Sequence, residues 1–172
     1  MFGKITWIHI TAALGGALTI ALLLLIGDTL SMTMLMPSFG ASCMIAFTMP
    51  NGPFSKSRSI IGGHVISTTI GLIIHSTLGS SIWAIALSIG LSIIIMQLTH
   101  TTHPPACGDP LVVALSNVSW SFLLSPVLAG AVLIAIFSYF YRRIHNAAVV
   151  STVNKISSES RNNDSIQQEQ AS

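Results

Sequence analysis

His103 is followed at once by Pro104 and Pro105, then by Ala106, Cys107, Gly108 and Asp109, in the middle of a chain made mostly of apolar runs. A backbone broken at membrane depth needs protein or water around it to satisfy its polar groups. Such breaks are common where a permeating solute is handled. A second break lies at Pro37-Ser38-Phe39-Gly40-Ala41-Ser42. Proline suits the first turn of a helix and interrupts one elsewhere, so Pro37 and Pro105 are expected to open two half-helices. A helix start presents free N–H groups and the positive end of the dipole, which together favour an anion. Two such starts facing each other would make an anion site near the midplane. Ser38, Ser42, Thr101, Thr102 and His103 would add donors, and Gly40 and Gly108 would let backbone come close to the ligand. The plainer alternative is that the prolines only kink helices whose freed carbonyls bind neighbouring hydroxyls.

His64 follows Gly62-Gly63, just after Lys56 and Arg58. Near the mouth of a pathway it would donate to an anion or take up a proton; otherwise a backbone carbonyl satisfies it. His9 and His75 read as interfacial or packing residues, and His100 is left open. Asp109 is the one carboxylate between Asp28 and the C-terminal stretch. It is expected to N-cap a short helix beginning near Pro110, with proton or cation coupling as the alternative. Cys43 and Cys107 read as buried thiols. His103 with Cys107 falls short of a metal ligand set. There is no nucleophile elbow, phosphate loop or carboxylate pair, so the chain is expected to be neither an enzyme nor a cofactor carrier, and no nucleic-acid signature appears.

These residues sit in 172 residues that are 51% hydrophobic and 7% charged. Soluble domains carry roughly 25% charged residues. Between Lys4 and Arg142 the only charges are Asp28, Lys56, Arg58 and Asp109. The composition therefore specifies an all-α integral membrane protein. Residues 5–27, 60–78, 82–98 and 122–141 read as long spans, the first retained rather than cleaved. Residues 32–49 and 105–116 read as short or broken segments. Tyr139 and Tyr141 suit a headgroup boundary.

Six crossings put Lys4, the Lys56/Arg58 loop and Arg142/Arg143 on one side, which the positive-inside rule makes cytoplasmic, together with both termini. The expected organisation is a transmembrane domain over residues 1–145 and a polar, disordered cytoplasmic tail over 146–172. Pro37-x-x-Gly40 and Pro105-x-x-Gly108 each fall between two long spans. With three crossings per unit, they predict an inverted repeat. Small-residue stripes (Ala13/Ala17/Ala21, Gly63/Ser67/Gly71 and Ala84/Ser88/Ser92) predict close helix packing.

Thr102-His103-Pro104-Pro105-Ala106 resembles the signature of the HPP family of integral membrane proteins. Pro37 through Ser42, Ser57 through His64, Asp109-Pro110-Leu111-Val112-Val113 and Ser125-Pro126-Val127 extend the resemblance in the right order from about Phe2 to Tyr141. The resemblance implies a multi-span protein, usually described with about four clear helices, whose best-known activity is nitrite transport in cyanobacteria and plastids. Two departures stand out: Arg58-Ser59-Ile60 where many members have Arg-Pro, and Cys107 where glycine is more usual.

The function expected is transport of a small inorganic anion, nitrite or nitrate, across the inner (plasma) membrane. Substrate would bind Ser38 through Ser42, His64 and Thr102 through Asp109, with Lys56 and Arg58 at the inner mouth. Alternatives are a membrane-embedded structural subunit, or a proton-coupled carrier using Asp109 and His103. A thin bundle of 18.2 kDa also predicts a homo-oligomer.

Overall fold

The computed structural model describes residues 2–29 and 36–170, with side chains over 7–29 and 36–152. Lys4's side chain and residues 32–35, the start of the second expected segment, lie outside the described residues. Six α-helices follow in order: α1 Phe2–Thr29, α2 Pro37–Thr48, α3 Ser57–Leu78, α4 Ile82–Leu98, α5 Asp109–Ser116 and α6 Ala129–Gln170. Short 3-10 turns occupy Pro53–Ser55 and Pro104–Gly108, and a π-helical turn over Leu123–Leu128 leads into α6. No strand occurs among the described residues.

The helix boundaries have local causes. Met36 is extended (φ −131°, ψ 140°) and Pro37 takes the first turn of α2, as expected for a residue held off the helical region by the proline after it. Ser81 caps α4, its hydroxyl accepting from the Ala84 amide at 3.3 Å. α3 stops at Gly79, where φ is +73°, and α5 stops at left-handed Asn117. Ser125 leaves helical geometry (φ −140°, ψ 121°) ahead of Pro126, so the last span is bent at its start.

Trp7–Thr29, Ser57–Leu78 and Leu123–Thr152 are long and apolar enough to cross a membrane, and Ile82–Leu98 is a shorter apolar helix. The protein is an all-helical membrane bundle, as its composition requires. Within the best span window, 44% of α3 is buried against 22% of α1, so α3 forms the axis and α1 the flank. α2, α4, α5 and α6 all pack on α3 or on one another around it. A core of Phe39, Phe47, Ile60, Val127 and Ile134 joins α2, α3 and α6. Paired Asn51 and Asn146 amides, at 2.9 and 3.1 Å, hold the loop after α2 to α6. The Lys56/Arg58 stretch therefore lies on the same side as Arg142 and Arg143.

The structure corrects two expectations here. Pro105 does not open the second half-helix: it lies in a 3-10 turn, and α5 begins at Asp109. The proline fitted to the first turn of α5 is Pro110, while the consecutive Pro104 and Pro105 follow an extended His103 (φ −139°, ψ 96°). The polar stretch expected to be disordered from residue 146 is helix to Gln170. It lacks apolar periodicity, but no glycine or proline follows Gly130 to end the helix.

Candidate functional site

The turn that brings the His-Pro-Pro segment back onto α3 starts at the end of α4. His100 adopts a left-handed conformation (φ +54°). Its amide donates to the Gln97 carbonyl at 3.1 Å, and the Thr101 amide donates to the Met96 carbonyl at 2.9 Å. This pair of bonds is a Schellman motif with histidine where glycine is usual. Arg58 secures the turn by donating from Nη2 to the His100 carbonyl at 2.8 Å.

Thr101 and His103 then land on Gly62 and Gly63 of α3. A Cβ on Gly62 would lie 2.7 Å from Thr101 Cγ2, and one on Gly63 would lie 2.6 Å from His103 Cβ. Those two missing side chains let the broken segment lie against the helix. His64, the next residue, turns toward α2.

The result is an unbroken chain of polar side chains through the bundle. His103 Nδ1 donates to the Phe54 carbonyl at 2.8 Å. His103 Nε2 and His64 Nε2 each lie 2.8 Å from the same atom, Ser42 Oγ. That hydroxyl also lies 2.9 Å from the Ser38 carbonyl. His64 Nδ1 meets Asp109 Oδ2 at 2.7 Å, and Thr68 Oγ1 donates to the same oxygen at 3.3 Å. Ser42, His64, His103 and Asp109 are each fully buried. Phe39 closes the group edge-on, its ring centroid 5.3 Å from that of His64. Asp109 Oδ1 and Ser38 Oγ are buried without a hydrogen-bond partner in the protein. Polar groups buried this deeply are costly unless paired, so a hydrogen-bonded chain drawn from four separate segments is a built feature.

On the far side of Phe54 lies a polar cavity of about 550 Å³, lined in part by Lys56, Arg58, Gln97, His100 and Thr102. A larger apolar groove of about 660 Å³ runs between α1 and α2 and touches none of the four buried polar residues. The polar cavity is not lined by those four residues either, but it meets the chain at Phe54, whose carbonyl accepts from His103. Among the described residues no group of three or more His, Cys, Asp or Glu side chains is placed to hold a metal ion.

Most of the expected site residues converge. Ser38, Phe39, Ser42, His64, His103 and Asp109 form or border the chain, and Thr102, Lys56 and Arg58 line the cavity. Ala106 is fully buried, while Pro105, Cys107 and Gly108 are half-buried and Pro104 is exposed. Gly40 and Ala41 are not brought in. Gly40 lies on the opposite face of α2 from Ser38, Ser42 and Ala46, where helical spacing puts it, and lines the apolar groove, while Ala41 is exposed at the edge of the buried face. A Cβ on Gly40 would meet nothing within 4 Å, so no close approach depends on it.

Asp109 also differs from its expected role. It occupies the first helical position of α5 behind Gly108, its side chain makes no cap, and it serves His64 and Thr68 instead. Two participants escape sequence reasoning. Thr68 stands one turn after His64 on the same face, a spacing that would reveal it. Phe54 contributes only its carbonyl, which no residue type announces.

The transmembrane region of the HPP family matches residues 4–150 of this chain. Two curated transmembrane proteins of Dictyostelium discoideum are also similar. One is 34% identical over 110 residues, covering 59% of this chain and 39% of that protein. The other is 31% identical over 105 residues, covering 56% and 34% respectively. The chain thus spans well under half the length of these relatives. No solved structure matches.

Proposed function

The chain belongs to the HPP transmembrane family, and from that membership we propose that it carries a small inorganic anion across the membrane, nitrite first and nitrate next. The observation that carries this reading is the buried Asp109–His64–Ser42–His103 chain ending beside a cavity lined by Lys56 and Arg58. A basic cavity raises the local anion concentration and speeds capture by about 10-fold or more. Beyond it, Ser42 and the two imidazoles offer donors to a small oxyanion once they part. Ser38 Oγ, already without a partner, is a further donor at the amide-rich start of α2.

The four central side chains pack against one another with no exposure, so passage needs the α2 and His-Pro-Pro segments to move apart. Rocking of two inverted units about the breaks would do this. The Lys56/Arg58 and Arg142/Arg143 side is taken as cytoplasmic on the positive-inside rule, in a plasma (inner) membrane. A homo-oligomer is proposed for so thin a bundle.

Purified protein in liposomes tests the reading with nitrite, nitrate, formate and chloride. Nitrite or nitrate flux above that of protein-free vesicles is expected. His103→Ala, expressed to the normal level, should lower it at least 10-fold. An isolated chain that passes no anion but co-purifies with a fixed partner would point to a structural subunit.

A further inference from the structure

The buried chain cannot be assembled from a bare carboxylate, two neutral imidazoles and one hydroxyl. His103 Nδ1 faces the Phe54 carbonyl, which only accepts, so the hydrogen of a neutral ring is on Nδ1 and its Nε2 is bare. His64 Nδ1 faces Asp109 Oδ2 at 2.7 Å, so a hydrogen lies between those two atoms. A neutral His64 beside an ionised Asp109 therefore has a bare Nε2 as well. Both bare nitrogens would then point at Ser42 Oγ at 2.8 Å, and a serine has one hydrogen to give. One contact would set lone pair against lone pair. The geometry closes only when at least one further hydrogen is present.

With one added hydrogen, His64 Nε2–H donates to Ser42 Oγ, and Ser42 donates to His103 Nε2. The Asp109–His64 pair is then neutral overall. A second arrangement is also complete. The Ser42 hydroxyl turns to the Ser38 carbonyl, 2.9 Å away, and both ring Nε2 atoms donate to Ser42 Oγ. This arrangement holds one more proton and a net charge of +1. The two differ by one N–H bond at His103 Nε2 and by a rotation of the Ser42 hydroxyl.

We infer that Ser42, His64, His103 and Asp109 form a proton-binding site whose protonated arrangement carries a monoanion, one proton to one anion. The inference rests on the anion-transport reading and adds its coupling ion. A monoanion entering a site of net charge zero would be buried uncompensated, at a cost of several kcal/mol. Entering the arrangement of net charge +1, it is compensated. On loading, water gives a proton to His103 Nε2, forming an N–H bond. On release that bond breaks, the proton returns to water on the other side, and the Ser42 hydroxyl turns back.

The remaining titratable groups nearby do not supply this charge. Cys107 on the 3-10 turn is within electrostatic reach of Asp109, but a thiol adds no positive charge. Cys43 on α2 lies in the apolar core. The buried face of α6 presents Ala131, Ile134 and Ala135. Lys56, Arg58 and His100 line the cavity beyond Phe54.

The test uses the full wild-type chain in liposomes at alkaline pH, with protein-free vesicles subtracted. With equal nitrite on both sides and no pH gradient, labelled nitrite should exchange. With an inside-alkaline gradient imposed, nitrite should accumulate inside about 10-fold per pH unit, and an internal dye should record one proton entering per nitrite. Absence of exchange would overturn the transport reading itself. Exchange without pH-driven accumulation would overturn the proton site and leave that reading standing. Ser42→Thr, which keeps the hydroxyl, should keep the ratio of accumulation to exchange, and Ser42→Ala should lower it at least 10-fold. Equal ratios in the two variants would remove Ser42 from the mechanism.

Discussion

α2 and α5 each carry a proline in the first turn, Pro37 and Pro110, and each stands between two long helices. Their starts nevertheless differ in charge. α2 has no acidic residue in its first turn and begins with the buried, unpartnered Ser38 hydroxyl. α5 begins with Asp109, whose carboxylate already answers the positive end of its own helix dipole. One start holds an unpartnered hydroxyl and the other holds the partner of an imidazole. The two half-helix starts are thus unsymmetrical, and Ser42 with His64 joins them. A repeated long–short–long order has been put to two uses.

The largest effect in breaking that asymmetry is expected on the α5 side. Asp109→Ala leaves the buried His64 without its counter-charge, and removing one member of a buried pair costs about 3–5 kcal/mol. Thermal unfolding of the purified protein should show a fall of many degrees. An unchanged midpoint would mean that Asp109 and His64 are not paired in the folded protein.

A smaller effect is expected where the His-Pro-Pro segment meets α3. Gly63→Ala places a methyl 2.6 Å from His103 Cβ, an atom next to the backbone that cannot swing away. Overpacking of this kind costs about 1–3 kcal/mol. His103 would be pushed off Ser42, so uptake should fall further than stability alone explains. Wild-type uptake in a stable Gly63→Ala protein would show that the close approach is only packing.

The membrane bundle and its long apolar helices are legible from residue types, and so are His64 and His103 as separate candidates, but their meeting on Ser42 is not. Apolar run lengths and the two proline breaks specify the bundle. Gly62-Gly63 ahead of His64 signals close approach, though not that His103 is what approaches. Residue types do not place the start of α5, because Pro105 and Pro110 lie close together and only the backbone separates a 3-10 turn from the helix. The sequence does not separate the two roles open to Asp109, because capping and ion pairing require the same residue type at nearly the same position. Thr68 carries a signal in its spacing from His64, whereas the Phe54 carbonyl carries none. Gly40 belongs to the motif by position alone, and helical periodicity turns it away from Ser38 and Ser42.

The smallest structural effect should come from the α2 start, and there its sign is opposite. Ser38 Oγ is buried without a protein partner, and burying an unsatisfied hydroxyl costs about 1–3 kcal/mol. Ser38→Ala removes that cost while keeping the helix, so the folded protein should become slightly more stable. If the hydroxyl is held unpaired to receive the anion, the same change should weaken nitrite capture several-fold, seen as a raised KM with little change in maximal rate. Higher stability with lower affinity would identify Ser38 as a donor to the substrate. Higher stability with unchanged affinity would leave the start of α2 without a binding role and shift the anion contact to Ser42 and the histidines.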